Sequence, residues 1–241
     1  SLSLIPRMPY PEQVLRFYCQ RPTPFLKRWD ELNKTRRVTG IVGNDAHQNV
    51  RVRGGYSPNG TVRLLDTGHR GKVARELRLN IFSRLLLRLC CGPLEPGRQL
   101  FRINLDPYVR SVRFVNTHLL AQELTEPALL DALRHGRTFV GFDLLADSSG
   151  FTYLAQGKTR RAVMGESIPF EPGLTLKAVA PVACRISILR DGVPVVRHDG
   201  GACVWTVDRP GNYRVEAELE ILGEWTPWIY ANPITVTPGS G

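Results

Sequence analysis

The sequence predicts two architectures in series, an α/β part over residues 1–136 and an all-β antiparallel sandwich over residues 137–241. Three observations carry this. The first part mixes helical periodicity with a short apolar run that closes on a polar tip. After Gly136 the chain becomes a succession of β-favouring runs divided by DSSG, EPG, RDG, RHDGG, DRPG and ANP, which is the grammar of a sandwich of about 100 residues. Charge divides the chain as well: residues 1–120 carry 21 basic and 8 acidic side chains, whereas 121–241 carry 11 and 14. With 241 residues, 42% of them hydrophobic, the chain can build one large core or two modest ones, and disorder and collagen-like repeats are excluded.

Taken in order, PEQVLRFYCQ at 11–20 opens on Pro and reads as a short helix. Pro24 to Asn33 reads as a second helix, because Phe25, Leu26, Trp29 and Leu32 recur at spacings of three and four. Val38, Ile41 and Val42 then make a short buried strand ending at Gly43. Gln48 to Gly71, rich in Gly, Arg and Asn with a YSPNG turn, reads as a long surface loop. Lys72 to Cys91 reads as helical. Within it Ile81, Phe82, Leu85, Leu86 and Leu89 fall on one side and Arg84 and Arg88 on the other, which suits a helix docked on its own protein or, alternatively, one lying on a membrane surface. Residues 108–120 look extended. EPALLDALRH at 126–135 is a helix that Gly136 closes, with His135 complementing its C-terminal dipole.

In the sandwich seven strands are expected. The strongest local signal is Asp191-Gly192 between ILR and VPVV, a two-residue hairpin turn. Trp205 and Tyr213 are expected to face the core, and Pro-Trp-Ile-Tyr at 227–230 reads as core in preference to an exposed aromatic patch.

Composition narrows the function classes. Of the 32 basic residues 27 are Arg, a compositional skew with no aromatic-interleaved groove or nucleic-acid motif beside it, so no nucleic-acid partner is expected. The basic first part suits a small anionic substrate or an anionic membrane surface through residues 79–91. The longest apolar stretch, Leu79 to Cys91, holds Arg84 and Arg88 and is 13 residues long, too short to span a bilayer. The opening residues lack signal-peptide grammar, and the chain reads as a piece of a longer protein. Five cysteines form no C-x-x-C pair. Cys184 and Cys203 are expected as buried free thiols, with a bridge between them the alternative.

One segment looks like chemistry: Gly43-Asn44-Asp45-Ala46-His47 at the end of the apolar strand. Residues two apart on an extended chain point to the same side, so the Asp45 carboxylate and the His47 imidazole can converge on one ion. A mixture of anionic oxygen and imidazole nitrogen suits Zn²⁺, Mn²⁺ or Fe. The alternative is an Asp that caps a turn beside a surface His. His69, His118 and His198 lack ligand partners at short spacing and read as structural or solvated.

The series Trp29-Asp30, a basic stretch, Val38 to Val42 and GNDAH resembles the closing segment of the barrel in the PHP (polymerase and histidinol phosphatase) superfamily, with Asn44 in place of the usual Ser or Thr. ALLDALRHGRTFVGFD is similar to the segment that follows that barrel, and MGESI, ILRDG, RPGNYRVE and PWIYANPI resemble an appended β-domain. The resemblance implies the C-terminal end of a (β/α) barrel followed by a sandwich. It also implies Asp45 and His47 as ligands of divalent metal ions (Zn, Mn or Fe) and a hydrolase of the phosphoesterase type. Arg51 or Arg53 is a candidate partner for a phosphate, an exposed loop position the alternative. The superfamily's opening His-x-His pair and mid-barrel Glu and His ligands have no counterpart here, so the site is expected to be incomplete and this chain alone inactive. The competing class is a noncatalytic sandwich that binds a glycan, a protein or a membrane surface.

Overall fold

A computed structural model describes residues 19–44, 51–66, 72–104 and 108–239. The chain forms two compact units, one from Ser1–Val14 and Asp45–Val112, the other from Leu15–Asn44 and Arg113–Gly241.

The first unit is a four-stranded antiparallel sheet in the order β3-β2-β1-β4, from β1 (Arg51–Tyr56), β2 (Thr61–Asp66), β3 (Lys72–Arg78) and β4 (Gln99–Asn104). The YSPNG signal makes the β1–β2 turn, where Ser57 N–H donates to Thr61 O at 2.9 Å and Gly60 N–H to Ser57 O at 3.0 Å. A helix, Ile81–Cys91, follows β3, and a single turn of helix, Tyr108–Ser111, follows β4. Asn80 caps the longer helix, its Oδ1 accepting from Ser83 N–H at 2.7 Å. Burial in this unit is thin: among its described residues the buried apolar side chains are Val62 and Leu64.

The second unit begins with helix α1 (Thr23–Asn33), continues through a segment at 38–44 that belongs to no helix or strand, and resumes with β5 (Asn116–Leu119) and a helix, Glu126–His135. Gly136 closes that helix in the left-handed region at φ 71°. Nine strands follow: β6 (Thr138–Gly141), β7 (Thr152–Gln156), β8 (Arg161–Val163), β9 (Ser167–Pro169), β10 (Thr175–Arg190), β11 (Val193–Thr206), β12 (Gly211–Ile221), β13 (Glu224–Ala231) and β14 (Ile234–Thr237). All ladders are antiparallel except β9 with β14. The long β10 organises the unit. Its N-terminal half pairs with β7 and its C-terminal half with β12, while β11 follows its other edge. Between Val179↔Ala202 and Cys184↔Gly200 the ladder lets go, leaving Ala180–Ala183 opposite Gly201 alone. Pro181, which has no N–H to donate, sits in that irregularity.

The core lies inside this unit and includes Tyr153, Leu176, Ile186, Val215, Trp228 and Ile234. Tyr213 Oη donates to Arg209 O at 2.7 Å, the tyrosine corner of many sandwiches. Asp191 and Gly192 have φ 50° and 86°, so both central residues of the β10–β11 turn lie in the left-handed region that a two-residue type I′ hairpin demands.

The expected α/β class is corrected here. Among the described residues the chain is mostly β and its sheets antiparallel, with no (β/α) barrel evident. The buried strand expected at Val38–Val42 is corrected too: the segment joins no ladder, Ile41 is 64% exposed, and side chains bond the backbone at Val38, Gly40 and Val42 instead. The expected loop at 48–71 carries β1 and β2, and Lys72–Arg78 is a strand, because KVARELR finds a full ladder on β2 that outweighs its helical composition. Residues 108–111 are helical, although extended chain is expected there. Nine strands stand where seven are expected: RHDGG lies inside β11 and the LTLKAVA and CRISILR runs join in β10, whereas β8 and β9 are added and WIYANPITV divides into β13 and β14. The helix expected at 11–20 lies almost wholly outside the described residues.

Candidate functional site

Asp45 and His47 lie outside the described residues. What is described is the segment that delivers them, and it is fixed at several points. Trp29 Nε1 donates to Val38 O at 2.7 Å, and Asn33 Oδ1 accepts from Val38 N–H at 3.1 Å. Gly40 N–H donates to Asn232 Oδ1 at 2.7 Å, and Asn232 Nδ2 returns a bond to Gly40 O at 3.0 Å. Val42 N–H donates to Thr117 Oγ1 at 3.0 Å, and that hydroxyl donates to Val42 O at 3.1 Å. A backbone that lacks strand partners must satisfy its polar groups elsewhere, and here Asn232, itself 1% exposed, does so from the sandwich.

Beside Thr117 on β5 the structure places a polar cluster that spacing did not single out. Asn116 Nδ2 donates to Asp143 Oδ2 at 2.8 Å, and His118 Nε2 lies 2.8 Å from the same oxygen. Ser148 Oγ donates to Asp143 Oδ1 at 2.5 Å and lies 3.1 Å from His118 Nε2, while Ser148 N–H donates to Asp143 Oδ1 at 3.1 Å. The His118 ring stacks on Phe139 at 4.5 Å between centroids. The geometry is not that of a catalytic relay, which needs acid and nucleophile on opposite ring nitrogens. Here both meet Nε2, and the serine proton is committed to the carboxylate. With Asp143 as acceptor, Nε2 is the nitrogen that donates. The cluster locks the 142–151 loop to β5.

Burial pushes the Asp143 carboxyl upward, but hydrogen bonds from Ser148, Asn116 and His118 outweigh it and hold the group below its ordinary value. Glu216, buried and bonded to Arg21 and Arg214, is likewise held low. Both carboxylates therefore bind their protons more weakly folded than unfolded. Their stabilisation is complete above the ordinary carboxylate range near pH 4 and is lost as pH falls through the lower native values. Urea unfolding between about pH 7 and pH 3 is expected to show stability falling at the acid end, with a shallower fall in Asp143→Asn. An unchanged slope in that variant would show that Asp143 does not contribute.

Other expected positions resolve as follows. Arg51 and Arg53 stand half-buried on β1, not on an exposed loop. His118 is structural, as expected. His135 Nδ1 lies 2.9 Å from Asp131 O at the helix end. Cys184 and Cys203 are buried free thiols, and burial pushes the Cys184 thiol up to about 11. Among the described residues no group of three or more His, Cys, Asp and Glu can hold a metal ion. Asn116 and His118 carry the same two-residue strand spacing as Asp45 and His47, a signal that could have marked the β5 cluster. Its carboxylate comes from 25 residues away and has no sequence signature. No protein-family model, curated protein or solved structure matches the chain.

Proposed function

We propose that this chain contributes metal ligands to a metal-dependent hydrolase of the phosphoesterase type, with Asp45 and His47 as donors to one divalent ion. The observation that carries the reading is the anchoring of residues 38–44: a ligand pair needs a support that does not move, and the segment leading to Asp45 is held by Trp29 of α1, Thr117 of β5 and Asn232 between β13 and β14. The donor types suit Zn, Mn or Fe; two donors do not complete a site. Bound there, such an ion supplies a hydroxide at neutral pH and offsets charge on the leaving oxygen. Asp45 and His47 hold and orient it. Arg51 and Arg53, four and eight residues beyond Asp45–His47 in pairwise order (His47 to Arg51, Asp45 to Arg53), are the cations to pair with an anionic ester.

In the protein carrying this chain, Asp45→Asn and His47→Ala are each expected to lower bound metal by at least about tenfold, since even changes behind the ligands cost 10- to 100-fold. Melting temperature of the metal-free protein should change less than metal content, because the ligand reading gives both side chains to the ion. A turn-capping Asp45 predicts the reverse, a stability loss on the order of 1 kcal/mol from Asp45→Asn alone, with His47→Ala silent. Elemental analysis beside a melting curve separates the two, and unchanged metal content in both variants ends the ligand assignment.

A further inference from the structure

In the first unit the helix Ile81–Cys91, α2, is turned inside out relative to a helix docked on its own body. Ile81 is 89% exposed, Phe82 74% and Leu89 75%, with Leu85 and Leu86 also exposed. The positions that are half-buried are Ser83, Leu87 and Cys91, one narrow stripe on the opposite side at 100° per residue. The broad apolar face thus points to the outside, and the stripe turned inward holds one leucine between a serine and a cysteine.

Charge around the helix has one sign. From Leu77 to Leu94 the charged side chains are Arg78, Arg84 and Arg88, with no acidic residue between Glu76 and Glu95. At 100° per residue Arg88 sits next to Ile81 at the border of the apolar face, whereas Arg84 lies beside Cys91 and its Nη2 donates to Gly60 O at 3.4 Å. Residues 45–112 as a whole hold twelve Arg and Lys against five Asp and Glu, a net +7. Among the described residues no helix is long and apolar enough to cross a membrane.

We infer that α2 is an interfacial anchor that lies flat on a bilayer surface carrying anionic lipid. The apolar face reaches the acyl boundary, and Arg88 at its border stands level with the headgroup phosphates, which a guanidinium grips in a bidentate fork, while Arg78 and Arg84 add positive charge nearby. Three Arg with no acidic residue among them favour an anionic partner. A convex, single-helix apolar surface about 16 Å long suits a partner that deforms around it, as a bilayer does. The cap from Asn80 defines the helix start without help from any partner. Neither Asp45 nor His47 takes part, so this anchor and the proposed metal site fail or survive separately.

The test is flotation of the purified chain with phosphatidylcholine vesicles, with and without about 30 mol % phosphatidylserine. Expected is binding that depends on phosphatidylserine and weakens several-fold at about 0.5 M salt, where screening is short-ranged. Phe82→Ser with Leu86→Ser is expected to lower partitioning at least about tenfold, and Arg84→Gln with Arg88→Gln to remove most of the dependence on phosphatidylserine. Leu89→Ser, on the same exposed face, serves should the double variant fail to fold. Absence of binding to phosphatidylserine vesicles would overturn the inference. So would binding that Phe82, Leu86 and Leu89 substitutions leave unchanged, or a vesicle-free dimer in sedimentation that those substitutions dissociate.

Discussion

Arg214→Ala is expected to cost about 3–5 kcal/mol, read as the shift in urea midpoint at constant slope. Arg214 is 2% exposed on β12 and sits between two carboxylates. Its Nε donates to Asp30 Oδ1 at 2.6 Å, its Nη2 to Asp30 Oδ2 at 2.9 Å and its Nη1 to Glu216 Oε1 at 2.7 Å. Glu216 also accepts a fork from Arg21, at 2.7 and 2.9 Å. Removing the guanidinium leaves Asp30 on α1 buried without its cation, whereas Glu216 keeps Arg21. The loss is therefore the desolvation of one orphaned carboxylate, more than the attraction itself. That account makes a second expectation: Arg214→Met with Asp30→Leu removes both charges, and much of the stability should return. A loss below about 1 kcal/mol in Arg214→Ala, or a double variant no better than the single one, would show that water reaches this network.

Trp228→Ala is expected to cost a similar amount, about 3–5 kcal/mol, by a different route. Trp228 is fully buried on β13, and its Nε1 donates to Ala146 O at 2.8 Å. Truncation opens a cavity in the middle of the core and strands the Ala146 carbonyl. Trp228→Phe fills most of that volume but cannot donate, so its cost isolates the lost bond, on the order of 1–3 kcal/mol. If Trp228→Ala costs less than about 1.5 kcal/mol, the core collapses onto the site and packing there is not rigid.

The strands and turns of the second unit were legible because their signals are local. Asp191-Gly192 dictates a turn whatever surrounds it, Gly136 ends a helix by its own φ, and the apolar PWIY run lies in a strand buried without a break from Thr226 to Ala231. The first unit was not, because β3 is a strand only by virtue of β2 beside it, and KVARELR read alone has a helical composition. Val38–Val42 shows the other limit. Its apolar run predicts a buried strand, yet its partners are the side chains of Trp29, Asn33, Thr117 and Asn232, and the last two lie 75 and 192 residues away. Side-chain satisfaction of a backbone leaves no periodicity to read. The same holds for the β5 cluster, where Asp143 and Ser148 come from a loop that only the fold brings to His118.

The β10–β11 hairpin has one further consequence. Among the described strands β11 pairs with β10 alone, so fourteen residues present a second edge to which another chain can add by strand extension. Long flat edges of this kind template fibril growth, and this one is spoiled along its length. Pro194 removes a donor, an extra residue at Val195 breaks the register between Val196 and Pro194, and Arg197 and Asp199 put charge across the middle. Arg185 grips Asp199 from the neighbouring strand at 2.8 and 2.9 Å, holding one of those charges at the rim. Opposite the kink at Pro181, Gly200 and Gly201 end any straight run of more than a few residues. The same irregularities that let one hairpin serve β7 at one end and β12 at the other thus also guard the protein against assembling with itself through its open edge.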